Sequence, residues 1–161
     1  MRVWSTVESP IGELLLIGDG TALRCLWMQD GERPSEPPAG AVRDDDAFAA
    51  VREQLAEYFA GERTTFDVEL VMEGTEFQRR VWAALREIPY GETRSYGELA
   101  DRLGVPGAAR AVGLANGRNP ISVIVPCHRV IGADGSLTGF GGGLGRKRIL
   151  LELEAGATAL F

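Results

Sequence analysis

Ile121-Ser-Val-Ile-Val-Pro-Cys-His-Arg-Val130 carries an apolar run that stops at a proline and then delivers a thiol, an imidazole and a guanidinium in succession. A run rich in β-branched residues predicts a buried strand, and Pro126 cannot extend a hydrogen-bonded ladder. The spacing therefore predicts a strand that ends at Pro126, with Cys127 leaving the sheet at a fixed angle. Cys127 has the chain's single histidine, His128, as its neighbour, and Arg118 and Arg129 lie close in sequence. Positive neighbours favour a thiolate over a thiol whose free pKa is about 8.5. The plain alternative is an inert packed cysteine beside a surface histidine, because free cysteine is among the most buried residue types.

Outward from that stretch, 161 residues suffice for one domain or two small ones. The net charge of -6 weighs against a nucleic-acid partner, but it is unevenly spread. Residues 1–74 hold 6 Lys+Arg and 15 Asp+Glu (6 - 15 = -9), leaving 17 - 6 = 11 and 23 - 15 = 8 (+3) for residues 75–161. Only the second half suits a phosphate surface, and its positive residues are nearly all arginine, the better bidentate donor. Two cysteines, Cys25 and Cys127, make no disulfide framework, and with one histidine they make no zinc cluster of usual spacing, so neither metal nor cofactor is expected. The N-terminus lacks the apolar run of a signal peptide, and no stretch is long and apolar enough for a membrane helix. A working thiol then points to a cytoplasmic protein without membrane contact.

Arg2 to Val7, Ile11 to Ile17 and Thr21 to Met28 alternate with Gly- and Pro-containing turns and predict a small antiparallel meander. Cys25 falls inside the third run and is expected in the core. Residues 31–43 lack any period and predict a surface loop. Asp44 is placed to cap a helix carrying Phe48, Val51, Leu55 and Phe59 on one face, a helix that covers the sheet and ends at Gly61. Thr64 to Leu70 is a further strand candidate. A boundary at residues 71–74 divides the chain into an α/β domain, 1–73, and a second, mainly helical domain, 74–161.

In the second part, Thr75 precedes a helix through Phe77, Val81, Trp82 and Leu85, which Ile88-Pro-Tyr-Gly91 stops. Ser95 and Glu98 have capping-box spacing for a short helix to about Leu103. Gly104-Val-Pro-Gly107 is a turn, and a helix of small residues runs from Ala108 to Ala115. Two short helices around a Gly-containing turn resemble a helix-turn-helix, with Arg110 as the long group projecting from the second. Arg146-Lys-Arg148 opens a final helix whose Ile149, Leu150, Leu151 and Leu153 supply the buried side, with Glu152 and Glu154 reading as its polar face.

Gly74-Thr-Glu-Phe-Gln78, Ile88-Pro-Tyr-Gly-Glu-Thr-Arg-Ser-Tyr96, Ala109-Arg-Ala-Val-Gly113, Asn119-Pro120, Ile124-Val-Pro-Cys-His-Arg-Val130 and Leu137-Thr-Gly-Phe-Gly-Gly-Gly143 closely resemble the methylated-DNA–protein cysteine methyltransferases, the O6-alkylguanine-DNA alkyltransferases. The resemblance is dense over residues 74–154 and looser before them. It implies an α/β protein whose C-terminal helix-turn-helix domain is winged-helix-like. It also implies a monomer without an obligate protein partner that acts on double-stranded DNA containing O6-alkylguanine. Such a protein flips the base and moves the alkyl group irreversibly onto Cys127, once per molecule, and treats O4-methylthymine less efficiently.

By the same resemblance, Arg110 is the inserted finger, and Ala109 and Arg118 join Tyr96 against DNA. Tyr96 also turns the phosphate and donates to guanine N3, while Asn119 braces the active-site turn. Glu154 orients His128, which acts on Cys127 through a water. The Cys127 and Val130 carbonyls receive the exocyclic amine, and Val130, Phe140 and Gly141 shape the base pocket, with the Gly141 N–H meeting O6. Phe140 stands where a tyrosine is common in the family. A lesion-binding relative without transfer, a thiol hydrolase and a structural nucleic-acid binder are the competing readings.

Overall fold

The computed structural model describes residues 2–28, 36–137 and 144–156. Strands β1 (Val3–Val7), β2 (Leu14–Gly18) and β3 (Leu23–Met28) form the expected antiparallel meander. β2 sits between its neighbours, and all five of its residues are buried. Position 18 is glycine because a Cβ there would stand 2.1 Å from the Ala22 carbonyl oxygen.

The sheet is mixed rather than purely antiparallel. β4 (Val42–Arg43), inside the segment expected to be loop, pairs parallel to β1. Two residues are too few to leave a period in the sequence.

Helix α1 (Ala49–Phe59) covers the sheet, but Asp44 does not cap it. The Asp44 carboxylate instead accepts from the Asp46 N–H at 3.0 Å, and buried Phe48 starts the helix with φ 59 and no side-chain cap. Val51, Leu55, Tyr58 and Phe59 are its buried residues. Arg52 ties the helix to β1 by donating to Ser5 Oγ at 3.0 Å and to the Thr6 carbonyl at 2.6 Å. The strand expected over residues 64–70 is absent, and only Leu70 forms a bridge, to Leu23. Cys25 is half-buried rather than part of the closed core.

Capping logic succeeds in the second part. Thr75 and Gln78 cap α2 (Glu76–Arg86) reciprocally, and Ser95 and Glu98 do the same for α3 (Tyr96–Arg102). Gly104 ends α3 with φ 76, so that its N–H reaches the Asp101 carbonyl and the Val105 N–H the Ala100 carbonyl, a Schellman closure. The chain then turns through Gly107, at φ 83, into α4 (Ala109–Gly117), which packs on α3 and α2. The Trp82 indole N–H donates to the Ala115 carbonyl at 2.9 Å, anchoring α4 to α2.

Residues 121–125 are not a strand. Ile121 alone makes a bridge, to Leu26, and the chain turns from residue 122 to residue 124. The segment is apolar because the turn itself is driven into the core, with Ile121, Val123, Ile124 and Val125 all buried. Cys127–Arg129 is a 3-10 turn, followed by β6 (Val130–Ile131), which pairs parallel with β5 (Arg94–Ser95). α5 begins at Leu144, two residues before the expected start, and ends at Glu154. One hydrophobic cluster runs from Leu14 and Leu16 through Val81 and Val125 to Leu150 and Leu153.

Candidate functional site

Cys127 is held by side chains rather than by a ladder. Asn119 Nδ2 donates to the Val125 carbonyl at 2.8 Å and to the Ile121 carbonyl at 3.3 Å, while its Oδ1 accepts from the Ile121 N–H at 3.0 Å. One buried amide thus closes the whole turn. Val123 sits inside it at φ 71, a left-handed conformation that costs a β-branched residue about 1 kcal/mol or more and persists only where the surroundings enforce it. Cys127, 5% exposed, opens the 3-10 turn. Asn116 Nδ2 reaches its carbonyl at 3.4 Å from α4.

His128 is completely buried, and its Nε2 lies 2.7 Å from Glu154 Oε2 at the end of α5. Glu154 is therefore not on a solvated face. Arg129 donates to both carboxylate oxygens, from Nε at 2.6 Å to Oε1 and from Nη2 at 3.0 Å to Oε2, while its Nη1 reaches the Ile88 carbonyl at 2.7 Å. The Tyr58 hydroxyl donates to Oε2 at 2.5 Å.

Burial opposes the carboxylate's charge, but the hydrogen bonds and charges of His128 and Arg129 outweigh it and hold Glu154 down at about 2. Burial pushes His128 below its ordinary value, against the pull of Glu154. At neutral pH, where His128 has lost the charge it carries in acid, an ionised Glu154 beside a neutral imidazole places the proton on Nε2. Nδ1 is then the basic nitrogen, and it has no hydrogen-bond partner among the described residues.

Arg118 and Arg129 do not serve as the thiol's positive neighbours in the way their sequence positions suggest. Arg118 is exposed at the end of α4, and Arg129 is bound to Glu154. The cation that interacts with Cys127 is Lys147, fully buried on α5, whose Nζ donates to the Val130 carbonyl at 2.5 Å. Burial pulls Lys147 down to about 8, with the charge of Cys127 acting the other way.

The β5–β6 pair sets Arg94 against Val130 and so brings half-buried Tyr96, the first residue of α3, toward the end of the Cys127 turn. A Cβ on Gly113 of α4 would lie 3.6 Å from the Tyr96 ring. Arg110 is exposed on α4, one turn before Leu114, which is 67% exposed, and Ala109 beside it is half-buried. Val130 is buried at the site. Phe140 and Gly141, with the rest of residues 138–143, lie outside the described residues.

Sequence reasoning missed the contacts of Tyr58, Lys147 and Asn116. Lys147 stands three residues before Leu150 and seven before Glu154, which places all three on the inner face of α5, so helical spacing held a signal for it.

These features define a class of protein: a buried cysteine followed by a buried histidine that is hydrogen-bonded to a carboxylate, set beside a helix-turn-helix that exposes an arginine. Residues 2–72 match the family model described as 6-O-methylguanine DNA methyltransferase, ribonuclease-like domain, and residues 76–156 match the DNA binding domain of the same enzyme. The chain is 62% identical over 152 residues to a methylated-DNA–protein-cysteine methyltransferase of Mycobacterium tuberculosis, covering 94% of this chain and 91% of that protein. A protein of the same name from Methanosarcina acetivorans is 55% identical, over 94% of this chain and 97% of its own length. The crystal structure of Mycobacterium tuberculosis OGT in complex with DNA superposes with a TM-score of 0.91 at 59% identity, covering 98% of this chain and 96% of that one. The chain belongs to the methylated-DNA–protein-cysteine methyltransferase family, whose members repair DNA by transferring a methyl group from O6-methylguanine to a cysteine of their own.

Proposed function

We infer that Cys127 is the methyl acceptor and that the transfer occurs once per molecule. The observation that carries this reading is the buried relay, in which Glu154 fixes His128 with its proton on Nε2 and leaves Nδ1 basic, one residue from the thiol. Nδ1 takes the thiol proton through a bridging water, and the thiolate attacks the O6-methyl carbon in line. The S–C bond forms as the C–O6 bond breaks. The electron pair goes to the purine, which takes up one proton and leaves as guanine. A proton donor at N3 lowers that barrier, and Tyr96, carried to the site by the β5–β6 pair, supplies it. The product is a thioether with no good leaving group, so the protein is spent.

The reactive carbon lies in the stacked duplex and Cys127 lies inside the protein, so the base must be extruded. Exposed Arg110 on α4 enters the space left in the stack, with Arg118 and the N-terminal end of α4 at Ala109 against the backbone. Asn119 keeps the turn closed while the base enters, and Val130, Phe140 and Gly141 wall the pocket. Lys147 and Asn116 each engage one of the carbonyls, of Val130 and Cys127, that face the exocyclic amine, and a carbonyl oxygen has a second lone pair for it. The substrate is double-stranded DNA carrying O6-alkylguanine, with O4-methylthymine a poorer one. A monomer suffices, with residues 1–73 and 74–161 as its two domains, working in the cytoplasm without cofactor or metal.

Mixing the protein with duplex DNA containing O6-methylguanine should add one methyl group to the peptide that contains Cys127 and restore guanine. Intact-protein and peptide mass spectra decide it. Repair without methyl gain, or many lesions repaired per polypeptide, contradicts the reading.

A further inference from the structure

The hydroxyl of Tyr58 comes from α1, in the half of the chain whose sequence offers no catalytic cluster, yet it ends on the relay. It donates at 2.5 Å to Glu154 Oε2, the oxygen that His128 Nε2 also contacts at 2.7 Å. Both side chains are buried, and Tyr58 is packed edge-on against Phe59 and Tyr90, with Phe66 tilted beside it. The hydroxyl has Glu154 Oε2 as its acceptor among the described residues. Burial, then the charge of Glu154, raises the Tyr58 pKa, so the phenol keeps its proton and acts as a donor.

We propose that Tyr58 is a positioning residue for methyl transfer, supplied by the N-terminal half, which sets the orientation and basicity of the Glu154 carboxylate and through it the proton affinity of His128. This rests on the reading of Cys127 and His128 given above. The groups that face the carboxylate are His128 and Arg129 from the 3-10 turn, Tyr58 from α1 and Tyr90 from the α2–β5 connection, with Lys147 acting on His128 from α5. Of these, Tyr58 is the one hydrogen-bond donor to the carboxylate outside the turn that carries Cys127. A donor shared onto Oε2 draws electron density from the oxygen that His128 uses. Without it the carboxylate is a stronger base, stabilises the imidazolium more, and keeps His128 protonated to higher pH. Protonated His128 cannot accept the thiol proton, so the acid limb of the transfer rate must move upward.

The test is single-turnover methyl transfer from O6-methylguanine duplex DNA as a function of pH, for the wild type, Tyr58→Phe, Glu154→Gln and the double variant, with thermal unfolding of each. Tyr58→Phe keeps the ring and its packing. Its acid limb should rise by about 0.5 pH unit, which lowers the rate on that limb about threefold. In the Glu154→Gln background the same change should have no effect on the limb. A difluorotyrosine at position 58 retains a hydroxyl that is a stronger donor and should move the limb downward, which also covers the case in which Tyr58→Phe does not fold. A limb that stays in place in the Tyr58→Phe or difluorotyrosine protein, or one that moves equally in the Glu154→Gln background, overturns the proposal. Failure of the wild type to gain a methyl group overturns the functional reading and this inference with it, whereas normal wild-type transfer with an unmoved limb overturns this inference alone.

Discussion

In the first half of the chain β2 is buried along its whole length with leucine, isoleucine and glycine, and Ser5 and the hydroxyl of Tyr58 are buried polar groups in the described part of this half. In the second half Asn116, Asn119, His128, Arg129, Lys147 and Glu154 are all buried. The first arrangement is held by area removed from water, about 25 cal/mol per Å², which is indifferent to direction and to pH. The second is held by hydrogen bonds among charged groups, which cost several kcal/mol to desolvate and hold only when mutually satisfied. An apolar interior supports a fold. A satisfied polar one fixes which nitrogen of an imidazole carries its proton, and the chemistry requires that.

The sharpest break in this contrast is Cys127→Ala. It should abolish methyl transfer while leaving binding to methylated duplex DNA intact, as measured by protein mass and by a gel or anisotropy titration. Methyl appearing elsewhere on the protein would deny the second half its nucleophile.

Next come matched truncations in the two interiors. Glu154→Ala strands His128 and Arg129 and should cost about 3–5 kcal/mol. Leu16→Ala, in β2, should cost about 2–5 kcal/mol through its cavity. Denaturant unfolding should show comparable losses, but under conditions where both remain folded only Glu154→Ala should slow transfer. Equal slowing by Leu16→Ala would erase the distinction.

The pH dependence of stability separates the halves more finely. Glu154 is held at about 2 when folded against an ordinary 4.5, so its contribution is complete above pH 4.5 and is lost as pH falls toward about 2. His128 lies below its ordinary 6.5, so the unfolded chain gains a proton first and stability begins to fall below pH 6.5. Both slopes run the same way. Glu154→Gln should flatten the lower part, a change of about 3 kcal/mol across that range, while substitutions in β2 should leave the curve's shape unaltered.

The smallest effect concerns the exterior of the second half. Arg110→Ala should slow transfer from duplex DNA about tenfold while sparing transfer from free O6-methylguanine base, because only the former requires extrusion. Equal slowing on both substrates would remove Arg110 from the stack.

The elements easiest to read in the sequence were those with local chemistry at fixed offsets. Thr75 with Gln78 and Ser95 with Glu98 marked the starts of α2 and α3, and Gly104 marked the end of α3, because caps involve residues only a few positions apart. Residues 121–125 misled for the opposite reason. A β-branched apolar run has the composition of a buried strand, and what makes it a turn is the side chain of Asn119 with the surrounding core, which periodicity does not record. Cys127 and His128 were evident as a pair, and the family resemblance supplied Glu154 as the partner of His128, which spacing alone did not. Lys147 and Glu154 look like solvated helix residues until α5 packs, and Tyr58 looks like one more aromatic on an amphipathic helix until its hydroxyl meets a carboxylate 96 positions away. β4, β5 and β6, two residues each, fall below what any pattern can mark.

The central claim is that the polar interior keeps His128 neutral with its proton on Nε2 and Nδ1 free to take the thiol proton. The chain contains one histidine, so 15N-histidine labelling gives a single imidazole to follow by NMR. Followed across pH, the imidazolium should form only below the ordinary histidine value of about 6.5, and the neutral ring should carry its proton on Nε2 with Nδ1 unprotonated. An imidazolium that persists above that value, or a neutral ring with the proton on Nδ1, would contradict it.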